Sequence, residues 1–176
     1  MILLRPLAPL FSYFTARYIE RHAIAHHRDA RKLSVREHDA MAAFFPADLL
    51  QRVRIATPSQ PLQPPRIQKL VTILGMEKLL TPEATAAITF NHVIAHYGPH
   101  SLRTLFHELV HVEQYKQLGI REFARLYVRG FLRTGSYEQI PLEMHAYELD
   151  GRYAANPALR FAVRDEVRRW TAEGRY

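Results

Sequence analysis

The chain has no cysteine, which excludes disulfides and thiolate metal sites and leaves histidine and carboxylate as its strong ligand types. The same absence fits a reducing compartment. Glycine is scarce, at seven in 176 residues. None of the seven is spaced to cradle a phosphate, so Walker loops and dinucleotide fingerprints are excluded, and no Gly-flanked serine marks a nucleophile elbow. Long apolar runs are missing as well. Residues 1–14 are the most apolar stretch, but Arg5, Pro6 and Pro9 interrupt them and no clear small-residue cleavage site follows. That is far short of the about 20 apolar residues that cross a bilayer. The expectation is a cytoplasmic protein without signal peptide or transmembrane helix, with peripheral membrane association as its remaining membrane role. Internal repeats and low-complexity tracts are absent, and 48% hydrophobic content in 176 residues supports one core, hence a single domain over 1–176.

Lysine and arginine number 24 against 17 acids, a net charge of +7. A positive field draws the chain toward anionic surfaces. The arginines are spread along helices with no nucleic-acid motif or stacking platform beside them, so nucleic acid is not an expected partner. Residues 1–45 read as an N-terminal helical segment. Its first helix, predicted over 10–33, carries Leu10, Phe11, Phe14, Tyr18 and Ile19 on its apolar side and Arg17, Arg21, His22, Arg28 and Arg31 as basic groups. Packing of the apolar side on the domain is expected, with contact to an anionic membrane as the other role open to it. His22, His26 and His27 read as part of the basic face.

What is present is His107-Glu108-Leu109-Val110-His111, an HExxH sequence. Leu102, Leu105, Phe106, Leu109, Val112 and Tyr115 recur at helical spacing, Ser101 is a candidate N-cap and Gly119 a candidate stop. The motif therefore falls in mid-helix. Two histidines four apart project from one helical face, about 6 Å along the axis, close enough to share one metal ion. Glu108 beside them can take a proton from a water held there, the general-base role.

A catalytic zinc needs a third protein ligand, and the nine residues after His111 contain no histidine. The next dense group of ligand types is Pro141-Leu-Glu-Met-His-Ala-Tyr-Glu-Leu-Asp150. A helix over 121–132 and a turn at Gly135-Ser136 bring the chain back, and Pro141 fits the first turn of the returning helix. Glu143 is the expected third ligand, with His145 and Glu148 as alternatives. Tyr147 and Asp150 share its face. Tyr147 is a candidate contact to the ligands, and Asp150 is either an orienting carboxylate for an imidazole or a solvated acid.

Residues 86–96, AAITFNHVIAH, are β-branched and aromatic and are predicted to form one strand before the HExxH helix. His92 and His96 would then share a face and are candidates for substrate contact. Tyr137, in the loop before the Glu143 helix, is a candidate for polarising a carbonyl. Elsewhere the pattern predicts a helix over 35–45, a helix end turning into a strand over 49–56, an extended proline-rich loop over 58–65, a short helix within 67–80 and a last helix over 158–172. The fold class is α+β, mostly helical, with a small sheet ahead of the HExxH helix.

HELVHVEQYKQLG, FARLYVRGFL and GSYEQIPLEMHAYELDGRY together resemble the gluzincin side of the zincin metallopeptidases, in particular small bacterial HExxH proteins with a downstream glutamate helix. The resemblance covers 86–154, the metal-site core, and departs at Tyr147, where many such peptidases carry an acid. It implies a minimal zincin-like fold holding one Zn²⁺ per chain on His107, His111 and Glu143. It also implies Glu108 as base, a peptide or protein substrate, and a strand that aligns it. The alternatives are a metal-holding but inactive zincin serving as a binding module, and a basic helical module acting on membrane or nucleic acid.

Overall fold

A computed structural model of the protein describes residues 6–59, 86–98 and 101–176. The predicted loop beyond Ser59 and the helix within 67–80 lie outside the described residues. Among the described residues, six helices and three strands follow in the order α1 (Ala8–His27), α2 (Val35–Met41), α3 (Ala47–Arg52), β1 (Arg54–Ala56), β2 (Ala87–Phe90), β3 (Val93–His96), α4 (Leu102–Thr134), α5 (Pro141–Ala155) and α6 (Val163–Ala172). The fold is α+β and mostly helical. None of the described helices is long and apolar enough to cross a membrane.

Helix α1 ends at His27, six residues before the predicted end. The reason is tertiary: Arg31 exchanges backbone hydrogen bonds of 2.9 and 2.8 Å with Ile55, which pulls residues 28–33 out of helical geometry. Arg31 then forks onto both carboxylate oxygens of Glu37 at 2.7 Å. Glu37 closes a capping box at the start of α2: its carboxylate accepts from the Ser34 backbone N–H at 2.6 Å, and its own N–H donates to Ser34 Oγ at 3.3 Å. These bonds, Arg31 foremost, outweigh burial and hold the Glu37 carboxyl down at about 2. An unfolded glutamate titrates near about 4.3, so this group stabilises the fold above that pH and loses its contribution as pH falls toward 2. Glu37→Gln is expected to lower stability by about 1–2 kcal/mol at neutral pH. In urea titrations at stepped pH, the gap to the parent should close between roughly pH 4.5 and 2.

The predicted single strand over 86–96 is instead a hairpin. Asn91 takes φ 59°, a left-handed conformation that asparagine tolerates, and with His92 forms a two-residue turn between β2 and β3. Both arms are largely buried and no glycine or proline marks the bend, so the apolar run conceals it. The sheet order is β1-β3-β2, with β1 parallel and β2 antiparallel to β3. This leaves β2 at an edge among the described residues.

Helix α4 starts where expected, with Ser101 Oγ accepting the Thr104 N–H at 3.0 Å. It is two helical arms joined at Gly119, whose φ of 75° and ψ of 161° belong to a region open essentially to glycine alone. The break moves the chain from one core to another. Leu105, Phe106, Leu109 and Val110 of the first arm pack with α2, α3, β1 and α6, while Phe123, Ala124, Leu126 and Phe131 of the second pack with α1. Each such apolar side chain contributes about 1.5–3 kcal/mol by burial.

At Gly130 the second arm meets the start of α5. A Cβ there would lie 2.8 Å from Pro141 Cδ and 3.2 Å from Ile140 Cγ2, so only glycine admits this approach. Pro141 occupies the first turn of α5, as expected. The last helix begins at Val163, five residues later than predicted. Asn156 closes a turn instead, its side chain accepting the Ala158 N–H at 3.1 Å, and the Val163 N–H is taken by the Phe44 carbonyl at 3.0 Å. Val163, Val167 and Trp170 form its buried side.

Candidate metal centre

The first arm of α4 and the first turn of α5 bring three ligand atoms together. His107 Nε2 and His111 Nε2 each lie 3.3 Å from Glu143 Oε2 and 3.1 Å from one another. In a tetrahedral site with metal bonds of about 2.0–2.1 Å, ligand atoms stand about 3.3–3.4 Å apart, so the triangle has the size a metal ion requires. All three residues are buried. Among the described residues this is the one group of three or more histidines and carboxylates able to hold a metal ion in this way.

The outer side of each imidazole supports the same reading. Asp150 Oδ2 lies 2.9 Å from His107 Nδ1, and a carboxylate accepts, so Nδ1 donates to it and Nε2 is the ring atom left to face an ion. His111 Nδ1 is 2.8 Å from Gln114 Oε1, and the Gln114 amide nitrogen donates to the Leu142 carbonyl at 3.0 Å, which fixes the oxygen end toward the ring. Both Nε2 atoms therefore face inward, where a metal ion would displace any proton they hold. Arg103 donates two bonds to Asp150 Oδ1, at 3.0 and 2.8 Å, and Tyr127 donates its hydroxyl to Glu143 Oε1 at 2.8 Å. Ligands so oriented bind a metal more tightly than free ones.

The electrostatics favour a cation. Burial opposes charge on His107, but the carboxylates of Asp150 and Glu143 outweigh it and lift the ring to about 10. Glu143 is held far below the usual carboxylate range by the two imidazoles, despite its burial. Tyr115, Tyr127 and Tyr137 are pushed well above 10, by burial and then by Glu143, so their hydroxyls remain donors.

Glu108 lines a pocket together with His111, Glu143, Tyr137 and Ala87, Ile88, Thr89 and Phe90 of β2. Thr89, on β2, donates its hydroxyl to Glu108 Oε2 at 2.7 Å. This one bond ties the carboxylate to the edge strand. The pocket wall is apolar and aromatic elsewhere, with Ile88, Phe90, Tyr115 and Phe123 from the sheet and α4 and Tyr18 and Ile19 from α1.

Of the alternatives for the third ligand, His145 stacks flat on Trp170, with centroids 4.8 Å apart and ring planes 2° from parallel, and Glu148 is exposed. Tyr147 lies over His107 at a centroid distance of 4.6 Å and is 43% exposed; Glu143 accepts hydroxyl bonds from Tyr127 and Tyr137 instead. Asp150 is the orienting carboxylate, not a solvated acid. The hairpin separates the other two histidines. His92 sits in the turn, 3.3 Å from His27 Nδ1, and His96 is buried on β3; neither lines the pocket, so the shared face expected from a single strand does not exist. Sequence reasoning missed Thr89, Arg103, Gln114 and Tyr127. Gln114 had a signal, three residues after His111 on one helix, whereas Tyr127 is indistinguishable from an apolar helix residue until α4 bends. Compared with protein-family models, curated proteins and solved structures, the chain finds no match in any of the three.

Proposed function

We propose that this chain is a zinc-dependent peptidase with Glu108 as general base. The observation that carries the reading is the convergence of His107 Nε2, His111 Nε2 and Glu143 Oε2 at 3.1 to 3.3 Å, with His111 and Glu143 lining a pocket shared with Glu108 and an edge strand. Two imidazole nitrogens and a carboxylate, with no thiolate, form a donor set suited to zinc, which when bound supplies Lewis-acid polarisation of a carbonyl and acidifies a water. The remaining work falls to the chain. Glu108 takes the proton of the attacking water and passes it to the leaving nitrogen as the C–N bond breaks. Thr89 occupies Glu108 Oε2, which leaves Oε1 to meet the water. Tyr137, whose hydroxyl is kept protonated by burial and by Glu143, lines the same pocket and is our candidate donor to the developing oxyanion. The β2 backbone aligns an extended peptide by strand pairing.

One observation favours a second reading, a metal-holding module without turnover: Tyr18 and Ile19 of α1 line the same pocket and restrict what can enter. Metal analysis of tag-free protein, joined to cleavage of a diverse peptide library with and without chelator, separates the two. The proposal expects about one zinc per chain and cleavage that chelator abolishes. Bound zinc with no cleavage selects the second reading. No metal bound, and none taken up on titration, overturns both.

A further inference from the structure

Helix α1 is apolar on two sides. Phe11, Ala16, Ile19 and Ala23 are buried, yet Leu10, Tyr13 and Ile24 are 46%, 61% and 76% exposed, and Leu7 and Phe14 are exposed beside them. At 100° per residue these outward side chains share a sector of about 120° with Arg17, Arg21 and Arg28, all exposed. Glu20, at the border of this sector, pairs with Arg17 at 2.8 Å. A helix whose inner side already serves the core does not need leucine, isoleucine, tyrosine and phenylalanine on the outer side to fold.

The ground next to this face is basic. Arg121, Arg125 and Arg129 recur every four residues along the second arm of α4, all exposed, and form one wall of a groove whose other wall includes Pro9, Tyr13 and Arg17. Arg125 pairs with Glu122, while Arg121 and Arg129 have no carboxylate partner among the described residues. The combination decides the partner. Phosphates alone would satisfy the arginines and gain nothing from Leu10 or Ile24; a lipid surface meets both, acyl chains taking the apolar side chains and anionic headgroups the ladder.

We propose that the outer face of α1 and the Arg121-Arg125-Arg129 ladder seat this protein on an anionic bilayer, with α1 lying in the headgroup plane. The inner side of the same helix lines the metal pocket through Thr15, Tyr18 and Ile19, so docking holds that pocket about one helix diameter, roughly 10 Å, from the membrane surface. Docking itself does not depend on the peptidase reading.

The test is vesicle flotation of the full chain with phosphatidylcholine vesicles and with vesicles containing about 30% phosphatidylserine, at low and high salt. Binding is expected to the anionic vesicles only and to weaken with salt. The double variant Arg121→Gln/Arg129→Gln should bind about thirty-fold more weakly, from about five-fold per lost charge near the surface. Leu10→Gln/Ile24→Gln should bind about tenfold more weakly. Circular dichroism and metal content should be unchanged in both, since all four side chains are exposed. Equal binding to both vesicle types, or anionic binding that Leu10→Gln/Ile24→Gln leaves intact, overturns the proposal. So does binding to duplex DNA in place of vesicles, or a solution dimer that the Leu10→Gln/Ile24→Gln variant dissolves, since the face then belongs to a nucleic acid or to a second copy.

Discussion

Glu108→Gln is expected to retain about one metal ion per chain while its peptide turnover falls by about 10²–10⁴-fold. Glutamine keeps the size of glutamate, and its side-chain oxygen can still accept the Thr89 hydroxyl, which now bonds Glu108 Oε2 at 2.7 Å. Glu108 is not one of the three converging ligands, so the triangle of His107, His111 and Glu143 should survive. What disappears is the lone pair basic enough to take a proton from water. Metal analysis and peptide hydrolysis on the same preparation give both quantities. Undiminished hydrolysis would sink the assignment of Glu108 as base, and loss of metal would mean the carboxylate belongs to the ligand set.

His111→Ala should leave the protein without a stoichiometric metal, and Asp150→Asn should weaken metal binding by about 10–100-fold. The first removes one of only three donors, and no described residue stands ready to replace it: His145 is stacked on Trp170 and Glu148 is exposed. The second leaves every donor in place. It removes the charge that holds the His107 Nδ1 proton at 2.9 Å and also receives both Arg103 bonds, so the imidazole becomes a weaker and less fixed donor. Competition against a chromophoric chelator measures the affinities, and circular dichroism confirms folding. Full affinity in Asp150→Asn would reduce Asp150 to a partner of Arg103. A stoichiometric metal in His111→Ala would place the ion elsewhere in the chain.

Legibility in the sequence followed the range of each interaction. The mid-helix position of His107 and His111, the cap at Ser101, the break at Gly119, the turn at Gly135 and the start of α5 at Pro141 are local matters of periodicity and backbone conformation, and each could be read from neighbouring residues. The hairpin could not. Its turn is made by Asn91 and His92 without glycine, inside a run that is apolar because both strands are buried, so the alternation that would have shown two strands is absent. The ends of α1 and the start of α6 were misplaced for a related reason: Arg31 is taken by Ile55 and Val163 by Phe44, partners that no local pattern discloses.

The sequence by itself determined the donor chemistry. Without cysteine, with HExxH on a helix and a ligand-rich returning helix some thirty residues on, histidine and carboxylate were the only means of holding a metal. It also determined the mostly helical α+β class, through the 3.6-residue recurrence of apolar side chains. The tertiary structure alone decided that Glu143, not His145 or Glu148, meets the two imidazoles. It alone also joined Asp150 to His107 across 43 residues, Gln114 and Tyr127 to His111 and Glu143, and Thr89 to Glu108. The reason is rotational. Periodicity states which residues share a face of one helix, but the angle at which α5 turns that face toward α4 is set by the break at Gly119 and the close approach at Gly130.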